Sequence, residues 1–360
     1  MRDDGQQLQL FDLIAREWLA PGPVQQVLFN TSRTAVAFAC EGGAVAIAAT
    51  ADKSSPSARV RRAIDTAQLS IQPRDGNYSG LKLADHPEGR TSAIATFGEQ
   101  QFQFGRNRGR INSVTPGGLC VHLPPKVAAP ITAVAEHDGV VAYAVGAEVQ
   151  LWHPERNARV VEVPTAVTSL RFSADGQRLA IGHAGGVLLW SATEPPSTVA
   201  FDAAPAGLDW SADGRWLAGS LGHAGLALVD MKDLSCKIYD RFPGPVTSAG
   251  FGATTVVACG AFRVAAWSLE DGAPIVTGKS GLVLIDAVAV NAARNLVAAG
   301  YANGLLSLCQ IGGGAEILLR QDTGAGVSAL AWSPCGRFLG VGGRDGSAAL
   351  VELPDEMFKS

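Results

Sequence analysis

The feature that most constrains this chain is a short pattern that recurs about every 40 residues. Its clearest copies span residues 167–182, 207–219 and 327–342. Each copy has an alternating stretch that ends in an aromatic residue, then a four-residue turn and a second apolar run. Short alternating runs bounded by Gly and Asp predict β-strands joined by tight turns, and sustained helical periodicity is nearly absent. The pattern therefore predicts an all-β protein.

Weaker copies extend the pattern over most of the chain. The positions equivalent to the terminal aromatic residue are Phe29, Thr96, Glu136, Phe172, Trp210, Phe251, Val290 and Trp332. Their spacings are 67, 40, 36, 38, 41, 39 and 42 residues. All but the first agree with a four-stranded propeller blade, which takes roughly 40–45 residues. A single blade cannot bury both faces of its sheet, so the blades must stack into one domain that spans residues 1–360.

The number of first strands predicts the number of blades. We place first strands at residues 24–29, 92–96, 131–135, 167–172, 206–210, 246–251, 286–290 and 327–332. This count favours eight blades. Seven is the alternative, because the copy around Thr96 is the weakest.

The spacing of the repeats also predicts an insertion and a strand that closes the ring. The long first spacing predicts an insertion at residues 51–78 in the first blade. The last copy has three strands and ends near Leu353, which leaves a sheet edge that needs a partner. We expect residues 17–20 to supply that outer strand and to bury Trp18 and Leu19. Residues 1–16 carry apolar side chains at helical spacing and predict a short outer helix or arm.

The repeat resembles a known family. The sequence Leu-x-Phe-Ser-x-Asp-Gly-x-x-Leu-Ala-x-Gly, followed by Gly-x-x-Leu-Trp, is similar to the WD40 repeat over roughly residues 17–353. The resemblance implies a WD40-like β-propeller of four-stranded blades, closed by an N-terminal strand as in the family. The Trp-Asp pair is replaced, as in Trp152-His153 and Trp190-Ser191, and the Gly-His pair is missing. Because those residues form a hydrogen-bond network in the family, we expect these blades to rely more on packing.

Residues capable of catalysis do not form a recognisable motif. The six cysteines include no C-x-x-C pair, and we find no H-E-x-x-H, phosphate loop or nucleophile elbow. His183 and His223 are interpreted as a turn residue shared by two repeats, with ligands aimed into the central channel as the alternative. Asp175 and Asp213 are interpreted as turn residues too far apart for acid–base catalysis. The sequence therefore predicts no catalytic residue, metal or cofactor.

Arginines form the one local exception to an acidic chain. The net charge is −4, yet six arginines lie in two short segments: Arg59, Arg61, Arg62, Arg106, Arg108 and Arg110. Guanidinium groups pair with carboxylates and phosphates. The segments predict a docking site for an acidic partner, and a solvated face without a partner is the alternative.

The sequence thus favours a non-enzymatic, cytoplasmic scaffold that mediates protein–protein interaction. A membrane span would need about 18 apolar residues in a row, and the sequence has no such run. The N-terminus does not resemble a signal peptide. The acidic charge balance argues against general nucleic-acid binding. Two alternatives stay open: a propeller hydrolase or lyase with a site in the central channel, and a nucleic-acid or phosphate-binding module that uses the arginines. The Ala-, Val- and Leu-rich inner strands argue against the enzyme.

Overall fold

Eight small antiparallel sheets follow one another along the chain and form the blades of a propeller. The computed structural model describes residues 9–62, 69–84, 91–123 and 127–358. The all-β fold and the eight blades expected from the first strands are both confirmed. Leu8, part of the helical pattern at the N-terminus, lies outside the described residues.

The N-terminal segment, blade 1 and its insertion consist of α1 (Leu10–Ile14), β1 (Ala15–Leu19), β2 (Val24–Phe29), β3 (Ala35–Cys40), β4 (Val45–Ala49), α2 (Pro56–Arg59), β5 (Val60–Arg62), β6 (Leu69–Ile71) and β7 (Lys82–Leu83). Blades 2, 3 and 4 consist of β8 (Thr91–Phe97), β9 (Gln101–Arg106), β10 (Ile111–Val114), β11 (Cys120–Leu123), β12 (Ala133–His137), β13 (Val140–Val145), β14 (Glu148–His153), β15 (Arg156–Glu162), β16 (Val167–Phe172), β17 (Arg178–His183), β18 (Gly186–Ser191) and β19 (Ser197–Ala200).

Blades 5 to 8 consist of β20 (Gly207–Trp210), β21 (Trp216–Ser220), β22 (Leu226–Asp230), β23 (Ser235–Tyr239), β24 (Ala249–Phe251), β25 (Thr255–Ala258), β26 (Ala265–Ser268), β27 (Ile285–Asn291), β28 (Leu296–Tyr301), β29 (Leu306–Gln310), β30 (Glu316–Arg320), β31 (Val327–Trp332), β32 (Phe338–Gly343) and β33 (Ser347–Glu352). Short 3₁₀ turns lie at Ala292–Arg294 and Asp355–Phe358.

The ring closes through the N-terminal strand. Blade 8 has the strand order β1-β33-β32-β31, so its outer strand comes from the opposite end of the chain. Strand β1 pairs antiparallel with β33, from Ala15 opposite Val351 to Leu19 opposite Ser347. Closure by this strand is confirmed, although it begins two residues before the expected segment 17–20. Leu19 is 79% exposed, contrary to expectation, because successive strand residues face opposite sides and its side of the strand faces solvent.

The N-terminal helix is short and packs inward. Helix α1 buries Phe11 and Ile14 to 3% and 1% exposure. Both join an apolar cluster with residues of blades 7 and 8, among them Leu308 and Val351. The helix therefore fills a gap between two blades with its apolar face.

Blade 6 departs from the regular pattern. It has three strands, β24 to β26, and the fourth position is taken by single bridges from Val264 to Thr277 and from Trp267 to Pro274. Proline has no backbone N–H and cannot continue a ladder of hydrogen bonds, which explains the missing regular strand.

Neighbouring blades are joined by hydroxyl groups as well as by apolar packing. In the described part of the chain, four such bonds run from a Ser or Thr at or just before the start of an inner strand to a backbone carbonyl of the next blade or of the connection into it: Thr132 to Val167, Thr168 to Pro205, Thr247 to Asp286, and Ser328 to Val24. The sequence predicts that the blades rely mainly on apolar packing, because the residues of the family's hydrogen-bond network are replaced. These hydroxyl bonds hold the blades together in addition to that packing.

Candidate interaction surfaces

The structure buries two of the six arginines that the sequence singles out. Arg59 is 7% exposed and donates to the carbonyl oxygens of Leu13, Ser54 and Gln72. Arg106 is 1% exposed, and its guanidinium lies 5.1 Å from the centre of the Phe104 ring. Both side chains lie within the fold, so neither is placed to contact a partner.

The other four arginines lie in two separate places. Arg61, Arg62 and Arg108 are exposed and Arg110 is half-buried. The insertion follows the third strand of blade 1, whereas residues 107–110 connect the second and third strands of blade 2. In an antiparallel sheet these two connections leave from opposite ends of the strands. The structure therefore does not bring the six arginines together into one cluster.

The two equivalent histidines lie in different surroundings. His183 is 2% exposed, and its Nδ1 accepts a hydrogen bond of 3.1 Å from the backbone N–H of Gly185. Burial lowers the pKa of His183 below its ordinary value. His223 is exposed. Within the described residues, no group of three or more His, Cys, Asp or Glu side chains is placed to hold a metal ion.

The repeated aspartates are held inside their own turns. Asp175 accepts hydrogen bonds from the Ser173 hydroxyl at 2.6 Å and from the backbone N–H of Gln177 at 3.0 Å. These bonds lower the pKa of Asp175, and the bond from Ser173 has the largest effect. Asp213 has the equivalent bond from Ser211. Each carboxylate thus accepts hydrogen bonds from its own turn and stabilises that turn.

Carboxylates on two inner strands are paired with arginines. Asp209 lies 3.2 Å from Arg171 of the preceding blade, and Asp286 lies 2.7 Å from Arg344. Burial raises the pKa of Asp209, and the neighbouring Arg171 offsets this only in part. Each of the two carboxylates thus forms an ion pair with an arginine of a neighbouring blade.

A small groove lies between blades 4 and 5. Trp190, Met231 and Leu234 contribute to its lining, and its volume is ≈ 160 Å³. This is less than the roughly 300–1,000 Å³ of typical small-molecule sites. The groove therefore has room for little more than a single side chain.

The most exposed apolar side chain lies on a different part of the ring. Leu282 is 97% exposed, and Phe262 on the neighbouring connection is 39% exposed. The connections 240–246, 259–264 and 278–285 form one continuous area, which we call the loop surface. Sequence reasoning missed it, although Phe262 and Leu282 stand beside Ala and Gly in connections where polar turn residues are usual.

Backbone hydrogen bonds hold the three connections against one another. Gly244 donates to Gly260 at 2.9 Å, Gly260 donates to Ile285 at 2.8 Å, and Gly281 donates to Phe262 at 2.9 Å. Gly260 has a φ of +93°, and a Cβ there would lie 2.9 Å from the Gly244 carbonyl oxygen. Only glycine permits this close approach. The loop surface thus presents its apolar side chains from an ordered backbone.

The three connections themselves contain more basic than acidic residues. They contain Arg241, Arg263 and Lys279 but one acidic residue, Asp240. Arg241 and Lys279 are exposed, and Arg263 is half-buried. Each connection therefore contributes one basic side chain to the loop surface.

The chain is similar to WD40 proteins in sequence and in fold. The family model described as "WD domain, G-beta repeat" matches residues 317–350, which run from β30 of blade 7 into β33 of blade 8. The computationally designed Ika8 protein superimposes with a TM-score of 0.70 at 18% identity, covering 96% of this chain and 100% of the designed one. The C-terminal WD40 domain of Sif2 gives a TM-score of 0.65 at 14% identity, covering 96% and 99% of the two chains. Together with the repeats along the chain, these matches show an eight-bladed β-propeller whose fold is similar to that of WD40 domains, with one stretch that matches the WD40 repeat model.

Proposed function

We propose that this propeller is a non-enzymatic scaffold that binds protein partners in the cytoplasm through the loop surface. The observation that carries the proposal is the 97% exposure of Leu282 beside the partly exposed Phe262, on connections fixed by backbone hydrogen bonds. Contiguous exposed apolar side chains with a polar rim are typical of protein-interaction sites. An ordered surface also loses little conformational entropy on binding.

The partner that fits this surface is an acidic protein segment that carries apolar side chains. Its apolar groups would cover Leu282 and Phe262, and its carboxylates would reach Arg241, Arg263 and Lys279. Charge complementarity of this kind speeds association and rejects basic competitors. Because Arg241 and Lys279 are exposed, binding should weaken as salt is added.

The proposal is tested by comparing Leu282→Ser with a matched control, Leu119→Ser. Leu119 is 66% exposed and lies between β10 and β11, away from the loop surface. Partners captured by the wild-type protein are quantified by mass spectrometry for both variants. We expect the main partner to be lost with Leu282→Ser and kept with Leu119→Ser, and overlapping peptides from it to show an acidic, apolar binding segment.

Two results would overturn the proposal. One is equal retention of all partners by the two variants, which would place binding elsewhere on the ring. The other is a bound segment that is basic or lacks apolar residues. Loss of capture after nuclease treatment would show that the ligand is a nucleic acid.

A second candidate comes from the four arginines that are not buried. We propose Arg61 and Arg62 on the insertion, and Arg108 and Arg110 in blade 2, as contacts for an acidic partner. Because the two pairs leave their sheets at opposite ends, they are tested by separate double variants to Glu. Arg59 and Arg106 stay unchanged, since reversing a buried charge would destabilise the fold. If only one double variant loses the partner, the arginines changed in that variant form the binding site. If both double variants keep the partner, these arginines do not bind it.

A further inference from the structure

The insertion in blade 1 lies against the segment that closes the ring. Strand β1 is the terminal strand of the blade 8 sheet, and the chain continues from it into blade 1. Within the sheet, β1 is therefore joined to blade 8 by its hydrogen bonds to β33 and by no covalent connection. A terminal strand held on one edge can separate from its sheet by local opening. Residues 9–19, which we call the closing segment, therefore depend on contacts outside the sheet.

A tyrosine of the insertion binds the backbone of the closing strand. The Tyr78 hydroxyl accepts a hydrogen bond of 2.9 Å from the backbone N–H of Glu17 and donates one of 2.8 Å to its carbonyl oxygen. Beside it, Nε1 of Trp18 donates to the carbonyl oxygen of Ser79 at 2.9 Å. The Trp18 and Tyr78 rings meet edge to face at 5.5 Å. The insertion thus binds β1 through the backbone groups that a neighbouring strand would otherwise use.

Buried charges join the start of the insertion to the start of β1. Arg16 donates to the carbonyl oxygens of Thr50 and Ala51 and lies 3.8 Å from Asp52. Asp52 also forms a two-bond pair with Arg74, at 3.0 and 2.6 Å. Burial alone would raise the pKa of Asp52, but the bonds from Arg74 and Ser54 and the two arginine charges outweigh it and lower the pKa. The carboxylate therefore stays ionised between two arginines from different segments.

Arg59 adds a link to the N-terminal helix. Its Nη2 donates to the carbonyl oxygen of Leu13 at 2.5 Å, while its other nitrogens bond to Ser54 and Gln72 within the insertion. On the other side of the helix, the Arg320 guanidinium of blade 7 lies 5.2 Å from the centre of the Phe11 ring. The closing segment is thus held between blade 7 and the insertion of blade 1.

We infer that the insertion is a clasp that keeps the propeller ring closed by holding residues 9–19 against blade 8. This role is separate from partner binding and does not depend on the proposed function. It also explains why Arg59 is buried: its guanidinium bonds to the closing segment. The exposed Arg61 and Arg62, two and three residues away, are free of that role.

Hydrogen exchange measured by mass spectrometry on the full chain tests the clasp. Tyr78→Phe removes both hydrogen bonds to Glu17 and keeps the aromatic contact with Trp18. Loss of one hydrogen bond of about 1 kcal/mol corresponds to about fivefold faster exchange. We expect at least that increase in peptides that cover residues 15–19, with the other blades unchanged.

Two further variants make the test specific. Asp52→Asn removes the charge shared by Arg16 and Arg74 and should give the same local increase. Tyr143→Phe also removes a hydrogen bond, the one to Gln150 in blade 3, and should leave residues 15–19 at the wild-type rate. Unchanged exchange at residues 15–19 in both Tyr78→Phe and Asp52→Asn would overturn the proposal, as would an equal increase in every blade.

Discussion

The thiol of Cys335 lies 3.3 Å from the hydroxyl of Ser333, in the connection between β31 and β32 of blade 8. The same turn in blade 4 places the carboxylate of Asp175 2.6 Å from the hydroxyl of Ser173. Cys335 thus stands where a related repeat has an aspartate, whose negatively charged carboxylate accepts hydrogen bonds from the turn. A thiol in that position is stabilised in its ionised form.

We predict that Cys335 is alkylated faster than Cys236 near neutral pH, although both are exposed. Burial would raise the pKa of Cys335, but hydrogen bonds from Ser333, Arg337 and Arg33 outweigh it and lower the pKa. Burial raises the pKa of Cys236. The thiolate is the reactive form, so each unit of pKa difference changes its amount by up to about tenfold.

The measurement is the rate of labelling by iodoacetamide, read for each cysteine by peptide mass spectrometry. Ser333→Ala should slow the labelling of Cys335 and leave that of Cys236 unchanged. Equal rates for the two cysteines in the wild-type protein would contradict the prediction.

We predict that Gly176→Ala destabilises the protein more than Gly214→Ala. Both glycines have a φ of +67° in equivalent turns, so alanine costs each about 1–2 kcal/mol in backbone strain. A Cβ at Gly176 would lie 2.1 Å from the His137 ring, whereas one at Gly214 meets nothing within 4 Å. Urea denaturation of the two variants measures the difference. Equal losses of stability would mean that His137 moves aside at no cost.

We predict that acidification destabilises the propeller partly through His183. Burial lowers the pKa of His183, so the folded state keeps this imidazole neutral while the unfolded chain binds a proton. Its contribution to stability is therefore complete above the unfolded pKa of about 6.5 and decreases as the pH falls below that value.

His183→Asn supplies the comparison, because it keeps a short polar side chain that does not titrate. The difference in free energy of unfolding between wild type and variant should change by at most about 1.4 kcal/mol per pH unit below pH 6.5. If the difference in free energy of unfolding does not change with pH, His183 has the same pKa in the folded and unfolded states, and the prediction is wrong.

We predict opposite outcomes for two apolar residues of the closing segment. Ile14→Ala should cost about 2–5 kcal/mol, because Ile14 is 1% exposed and its truncation leaves a cavity between blades 7 and 8. Leu19→Ala should change stability by no more than about 0.5 kcal/mol, because Leu19 is 79% exposed. Calorimetric melting of both variants checks this, and similar losses would contradict the observed burial.

The ring was predictable because several blades repeat the same sequence of strand and turn residues. Ser-Ala-Asp-Gly at 173–176 combines a hydroxyl, a carboxylate and a glycine that together specify one turn, and its counterpart in blade 5 does the same. The unpaired edge of the last repeat predicted a closing strand from the other end of the chain. These features depend on residues close in sequence and on the geometry of sheets.

The surfaces were not predictable, because they depend on contacts between distant residues. Arg59 and Arg61 are indistinguishable by sequence pattern, yet only Arg59 meets the carbonyl oxygen of Leu13, 46 positions away. The exposure of Leu282 likewise depends on how the connections into, within and out of blade 6 meet. An apolar residue beside glycine in a connection is a weak signal, and it does not indicate by itself whether the side chain is exposed.

The pairing of β1 with β33 also determines how the molecule responds to mechanical force. Ala15 lies opposite Val351, so the two strand ends that lead to the termini are at the same end of the pair. Tension applied between the termini would load these hydrogen bonds one after another, as in opening a zipper, and would not shear them all together. Once the contacts of α1 and of the insertion with the closing segment have broken, extension should therefore continue by detachment of β1, before any blade loses its own covalently connected strands.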